Sequence, residues 1–269
     1  MKSEKPIGIF DSGIGGFTVA KAIRNLLPKE SLLYFGDTAH LPYGEKSADA
    51  IQQYALQIGA FLIKQGVKII VIACNSASAV AYEAMHKKFH KQVPIIGMVE
   101  PTVNFIVQQQ YKKIGIIGTK ATITSNVHAA KIHAHSYKVN VATLAAPLLV
   151  PMIEEGFFNN NISQTIIESY LSNKKLKSIQ ALVLACTHYP LIRKQIEKYY
   201  NASIHIIDPA EIVAQQVKEV LTIKKILANK KVSADRFYVS DYTNAFAEST
   251  KLFFGEAVPL QKIDLWGKK

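Results

Sequence analysis

Apolar residues recur at helical spacing at Ile51, Tyr54, Ala55, Ile58 and Leu62, and Gln65-Gly66 ends that pattern before the largely apolar run Val67 to Ala73. The spacing predicts an amphipathic helix followed by a buried strand. Further strand-like segments occur at Ile95 to Gly97, Ile114 to Gly118, Val139 to Leu144, Ala181 to Ala185 and Ile204 to Ile207, each separated by a helix-length stretch. Strands alternating with helices predict parallel sheets covered on both faces, an α/β fold. No low-complexity segment or long linker interrupts the pattern.

The chain also resembles itself at a spacing of roughly 110 residues, too long for a solenoid and right for two paired domains. One copy runs Pro6-Ile7-Gly8-Ile9-Phe10-Asp11-Ser12 and later Val71-Ile72-Ala73-Cys74-Asn75-Ser76. The other runs Lys113-Ile114-Gly115-Ile116-Ile117-Gly118-Thr119 and later Leu182-Val183-Leu184-Ala185-Cys186-Thr187-His188. In each, an apolar strand ends in Ala-Cys and passes to polar residues before a helix. Parallel α/β sheets bind ligands at the carboxyl ends of their strands, so two such domains facing a cleft would offer one thiol from each side.

Composition sharpens this picture at three points. With 269 residues, 49% of them hydrophobic, the chain can bury the core of one or two domains. No apolar run approaches the roughly 20 residues that cross a bilayer, and Ile7 to Phe10 is too short for a signal peptide, so a cytoplasmic protein without a membrane partner is expected. Two cysteines cannot form a disulfide framework and are expected as free thiols. The formal charge of +12 comes mostly from scattered lysine pairs such as Lys87-Lys88 and Lys230-Lys231. Nucleic-acid recognition draws on clustered arginines, so a nucleic-acid partner is not expected, while a positive potential favours small anionic substrates.

A single cysteine after an apolar strand reads equally as a small core residue; two at matched strand ends point to chemistry. A thiol at a helix mouth is expected to ionise more readily than a free one, whose pKa is about 8.5. Two opposed thiols can invert a carbon without a cofactor, one removing a proton and the other delivering one. Backbone amides at Asn75-Ser76 and Thr187-His188 are candidate donors to a substrate carboxylate.

Other motifs carry less. Gly13-Ile14-Gly15-Gly16 lacks the Lys-Ser/Thr of a phosphate loop and the spacing of a dinucleotide fingerprint, and reads as a tight strand-to-helix turn. His86 and His90 have helical ligand spacing without the glutamate of a zinc protease, and His133 and His135 alternate without a cysteine pair. No metal site is expected, and nothing marks a pyridoxal-phosphate lysine.

Taken together, Phe10-Asp11-Ser12-Gly13-Ile14-Gly15-Gly16, Tyr34-Phe35-Gly36-Asp37-Thr38-Ala39 with Pro42-Tyr43-Gly44, Ala73-Cys74-Asn75-Ser76-Ala77 and Cys186-Thr187-His188-Tyr189-Pro190 resemble the bacterial glutamate racemases over essentially the whole chain. Ile206-Ile207-Asp208-Pro209-Ala210-Glu211 and Phe237-Tyr238-Val239-Ser240 resemble that family as well. The resemblance implies cofactor-independent interconversion of L- and D-glutamate, supplying D-glutamate for peptidoglycan, with Cys74 and Cys186 as the acid/base pair. It implies assistance from Asp11, Asp37, Glu154 and His188. It further implies that Asp11, Ser12, Asn75, Ser76, Thr187 and His188 hold the amino and α-carboxylate end of the substrate, and that Tyr43 and Gly44 receive its side-chain carboxylate. Thr119 and Thr122 would add hydroxyl contacts.

Plainer readings stand beside these: Asp11 and Asp37 as caps, Glu154 as an ordinary helix or turn charge, His188 as a packing or capping residue, Tyr43 as a turn aromatic. Ser76 stands where threonine is common in the family, Ala185 where glycine is, His128 where tyrosine is and Pro209 where serine is. The expected architecture is two similar doubly wound parallel-sheet domains facing a central cleft, residues 1–98 plus 211–269 and residues 99–210. The return of the carboxyl-terminal segment to the first domain is implied by the family, and homodimers are common within it. Regulation through an amino-terminal extension is not expected. The competing functions are racemisation of aspartate or another acid, and a non-catalytic basic binding protein.

Overall fold

The computed structural model describes residues 2–267. Its first sheet contains β1 (Ile7–Asp11), β2 (Leu32–Gly36), β3 (Ile69–Ile72), β4 (Ile95–Gly97), β9 (Arg236–Val239) and β10 (Leu260–Lys262), in the order β10-β9-β2-β1-β3-β4. The second contains β5 (Lys113–Gly118), β6 (Asn140–Ala145), β7 (Ala181–Ala185) and β8 (His205–Ile207), in the order β6-β5-β7-β8. Every pairing in both sheets is parallel. Four strands of each sheet therefore follow one plan: the first is central, the second pairs on one side, and the third and fourth build outward on the other. The repeat read from the sequence is this shared topology.

Residues of β1, β2, β3 and β7 are buried throughout. That requires helices on both faces and explains why these strands read as continuous apolar runs rather than as alternating ones. The helix predicted from Ile51 is α2 (Ala48–Lys64), whose Ser47 side chain caps it by accepting from the Ala50 amide. Lys68, inside the apolar run before β3, is fully buried, pairs with Glu30 at 2.5 Å, and donates to the carbonyls of Ser3 and Ile226.

Three strands were not predicted. β2 lies in a stretch too short to distinguish from a buried helix, and β9 and the edge strand β10 are short segments with little periodic signal. In the structure β9 pairs with β2 and β10 with β9, so the carboxyl-terminal segment extends the first sheet.

Helix α10 (Pro209–Ile223) ties the two sheets together. Its Val213, Val217 and Leu221 recur at helical spacing and are buried, and the helix packs against both α1 (Phe17–Leu26) and α4 (Val99–Gln108). Among the described residues no helix is long and apolar enough to cross a membrane.

Candidate active site

Cys74 follows β3 and Cys186 follows β7, the third strand of each sheet. Both thiols line one cavity with about 410 Å³ of empty space, together with Ser12, Tyr43, Asn75 and His188. Gly13, Leu41, Pro42, Gly44, Ser76, Thr119, Val150, Glu154 and Thr187 complete its wall. Both cysteines are free and buried. The ends of the strands are where open backbone groups and loops leave room for a ligand, and here two such ends face each other.

The two thiols differ in surroundings. Cys74 is the N-cap of α3 (Asn75–Phe89), its Sγ accepting from the Ala77 amide at 3.4 Å and lying 3.8 Å from Ser12 Oγ. The sequence predicts an eased ionisation at this helix mouth; the structure reverses it. Burial pushes the Cys74 thiol up to about 12, with the charge of Asp11 adding to the effect, and the bonds from Ala77 and Ser12 offset only part of it.

Cys186 caps no α-helix. A four-residue 3-10 helix, Tyr189–Ile192, follows it and leads into α9 (Arg193–Tyr199). Pro190 lies at the start of this 3-10 helix, where its missing amide proton is tolerated, and the second motif lacks the regular α-helix that begins directly after Cys74.

His188 stands beside Cys186, with Nδ1 3.8 Å from its Sγ and Nε2 2.9 Å from Glu154 Oε1. Burial works against the imidazolium, but hydrogen bonds and charge from Cys186 and Glu154 outweigh it and lift the group to about 10. A cation there stabilises negative charge developing on Cys186 Sγ.

Asp11 and Asp37 are fully buried and lie behind the cavity wall. Asp11 Oδ2 accepts from the amides of Gly13 and Gly16 at 3.2 and 3.0 Å, so it shapes the turn into α1. Burial raises its carboxyl, and the His188 charge pulls the other way. Asp11 therefore holds the turn, and its charge adds to the rise of the Cys74 thiol.

Asp37 accepts from Tyr43 Oη at 2.6 Å, Ser240 Oγ at 2.7 Å and Trp266 Nε1 at 2.8 Å, with His40 Nδ1 3.0 Å away. It acts on the cavity only through Tyr43, which is itself buried and held protonated by burial and by Asp37.

The remaining polar groups divide between wall and support. Asn75 presents a buried side-chain amide whose oxygen and nitrogen have no partner among the described residues, an open donor and acceptor on the cavity. Ser76 Oγ lies 2.8 Å from Thr119 Oγ1 and 3.3 Å from Thr122 Oγ1, linking α3 to the β5 end. Thr122 lies outside the cavity lining and supports the other two hydroxyls. Gly15 is required by close approach: a Cβ there would lie 2.5 Å from His188 Nδ1 and Thr187 Oγ1.

The sequence reading missed Leu41, Pro42 and Val150 in the wall, and Thr18, whose hydroxyl donates to the Thr187 carbonyl at 3.1 Å. It also missed Trp266; its being the single tryptophan was the available signal. Conversely, His86 and His90 merely stack on one helix face, with centroids 4.9 Å apart, and His133 Nε2 lies 3.1 Å from the Val139 carbonyl. Among the described residues no group of three or more His, Cys, Asp or Glu side chains could hold a metal ion.

Two parallel-sheet α/β domains that each bring a buried thiol to one cavity define the class of fold and site to which the chain belongs. Within that class, the chain belongs to the Asp/Glu/Hydantoin racemase family, whose model matches residues 17–217. It is 41% identical to a glutamate racemase of Chlorobaculum tepidum over 96% of each chain. It is similar in structure to a glutamate racemase of Francisella tularensis in complex with D-glutamate, with 38% identity, a TM-score of 0.92, and coverage of 98% of this chain and 99% of that one. A glutamate racemase isoform of Bacillus anthracis gives a TM-score of 0.93 at 31% identity, covering 99% and 100% of the two chains.

Proposed function

We propose that this chain interconverts L- and D-glutamate, using Cys74 and Cys186 as acid and base on opposite faces of the α-carbon, and so supplies D-glutamate for peptidoglycan in the cytoplasm. The observation that carries this reading is the pair of thiols delivered by equivalent strand ends to one enclosed cavity. Family membership and the glutamate racemases similar to it along nearly their whole length support the substrate. The same similarity supports reading residues 1–98 with 211–269 as one domain and 99–210 as the other.

In the resting site Cys74 is a neutral thiol, because burial and Asp11 oppose its ionisation. Cys186, its sulfur 3.8 Å from Nδ1 of the His188 imidazolium, is the base that takes the α-proton. The electron pair left on carbon is spread onto the substrate carboxylate, and Cys74 gives its proton to the opposite face and becomes the thiolate. Each turnover therefore exchanges the protonation of the two sulfurs. Charge left on Cys74 sits against Asp11, so a proton must return there before the same direction runs again.

An α-proton is far less acidic than a thiol, and each unit of mismatch costs about 1.4 kcal/mol. Preorganised donors, worth about 3 to 4 kcal/mol each, must supply much of the difference. Asn75, Ser76, Ser12, Thr187 and His188 would hold the amino and α-carboxylate end, with Asp11 behind them. Tyr43, Gly44, Thr119 and, through its neighbours, Thr122 would hold the side-chain carboxylate.

Purified protein mixed with L-glutamate alone should lose the circular-dichroism signal of the L-form until a racemic mixture remains. Loss of an L-aspartate signal with glutamate untouched would replace the substrate. In heavy water, early D-glutamate should carry deuterium while recovered L-glutamate does not; early label in both would point to one shared base.

A further inference from the structure

Around Asp37 the side chains form a path from the outside of the first sheet to the cavity. Trp266 follows β10, its indole ring packs edge-on against His40 and Tyr54 at centroid distances of 4.6 and 5.3 Å, and His40 stacks on Tyr54 at 4.1 Å. The Trp266 Nε1–H donates to Asp37 Oδ1, which also accepts from Ser240, while Asp37 Oδ2 accepts the Tyr43 hydroxyl proton. Tyr43 is the member of this set that lines the cavity. Asp37 and Ser240 immediately follow the paired strands β2 and β9, so the return of the carboxyl-terminal segment assembles the set.

A fully buried carboxylate is costly unless its oxygens are hydrogen-bonded, and its orientation is fixed by the donors around it. Tyr43 approaches from the 3-10 turn Tyr43–Glu45, Ser240 from the end of β9 and His40 Nδ1 from 3.0 Å away, while Trp266 adds a donor to Oδ1 from the segment after β10.

We propose that Trp266 is a positioning residue for the substrate cavity, holding the Asp37 carboxylate so that Asp37 fixes the Tyr43 ring. The consequence for binding rests on the glutamate reading; the wiring from Trp266 to Tyr43 does not. Trp266 touches neither thiol, so its contribution falls on binding rather than on proton transfer. As the single tryptophan of the chain it is also an intrinsic reporter of the state of Asp37 and Tyr43.

The Trp266→Phe protein keeps an aromatic ring against His40 and Tyr54 and loses the N–H donor together with the second ring of the indole. Its KM for glutamate should rise roughly 5- to 20-fold, with kcat changed by less than about twofold and the far-ultraviolet circular dichroism unchanged, while the lost donor to a buried oxygen lowers the urea unfolding midpoint. In a double-mutant cycle, Trp266→Phe added to Tyr43→Phe should raise KM little beyond Tyr43→Phe alone. Full additivity, or an unchanged KM in Trp266→Phe, overturns the proposal.

A second measurement needs neither a substrate nor the Trp266 variant to fold. The tryptophan emission of Tyr43→Phe should shift from that of the unaltered protein, because Asp37 then draws more on the indole N–H, while Ser12→Ala should leave it in place. Identical spectra for Tyr43→Phe and the unaltered protein overturn the wiring. A shift in Tyr43→Phe together with an unaltered protein that leaves glutamate untouched overturns only the substrate.

Discussion

Cys74 lies in the field of the buried Asp11 carboxylate while Cys186 lies 3.8 Å from the His188 imidazole, so matched positions in the fold have unlike electrostatic surroundings. Either cysteine replaced by alanine should lower racemisation by at least roughly 10²- to 10⁴-fold, the range for a missing acid or base, with the fold intact by far-ultraviolet circular dichroism. Full activity in either variant would remove that sulfur from the mechanism. His188 is charged below about 10 and neutral above it, so turnover that relies on its cation should decline as pH rises through that value. The His188→Gln protein should be slower at neutral pH and lack that alkaline limb, which a pH-rate profile reads directly.

His128 titrates in the opposite sense. Burial lowers it to about 4, and its Nε2 has no partner among the described residues. An unfolded chain protonates this side chain near 6.5 and the folded one only near 4, so acid favours unfolding. Stability should fall by up to about 3 kcal/mol as pH drops through that window, and His128→Phe should flatten the loss in urea titrations at stepped pH. The identities of the thiols and their assistants were legible because cysteine, histidine and buried acids stand out in an apolar frame. Their proton affinities were not, since those depend on burial and on neighbours far away in sequence.

Among the elements, the turn from β1 into α1 bears on both halves of the site. Asp11 holds its amides, Thr18 donates to the Thr187 carbonyl, and Gly15 lies against Thr187 and His188. The glycine-rich run reads correctly as a tight turn, but its need for a bare Cα at position 15 comes from the Cys186 loop. Gly15→Ala should push His188 away from Cys186 and lower kcat by roughly 10-fold or more, since small misplacements at a reacting centre are costly. An unchanged kcat in that variant would show that the loop yields without loss. The strands β3, β5 and β7 were legible from their apolar runs, whereas β9 and β10 draw their order from pairing with β2 and with each other.

At the scale of the whole molecule, the charge of +12 is spread over a surface that faces a small anionic substrate from every side. Such a field speeds encounter and is screened by salt, so kcat/KM should fall several-fold between about 0.05 and 0.5 M salt while kcat stays nearly constant. A kcat/KM insensitive to salt would leave the lysines as mere solvation. The sequence by itself determined the alternation of helix and strand, the duplication, and the placement of a thiol at a matched strand end of each copy, because period and composition are local properties that burial imprints on the chain. Only the tertiary structure decided that the two strand ends share one cavity and that Asp11 and Asp37 stand behind its wall rather than in it. The same holds for Trp266 reaching Asp37 from 229 positions away in the chain. Those outcomes depend on how the sheets pack and how the carboxyl-terminal strands return, and a local pattern contains no term for contacts between distant segments.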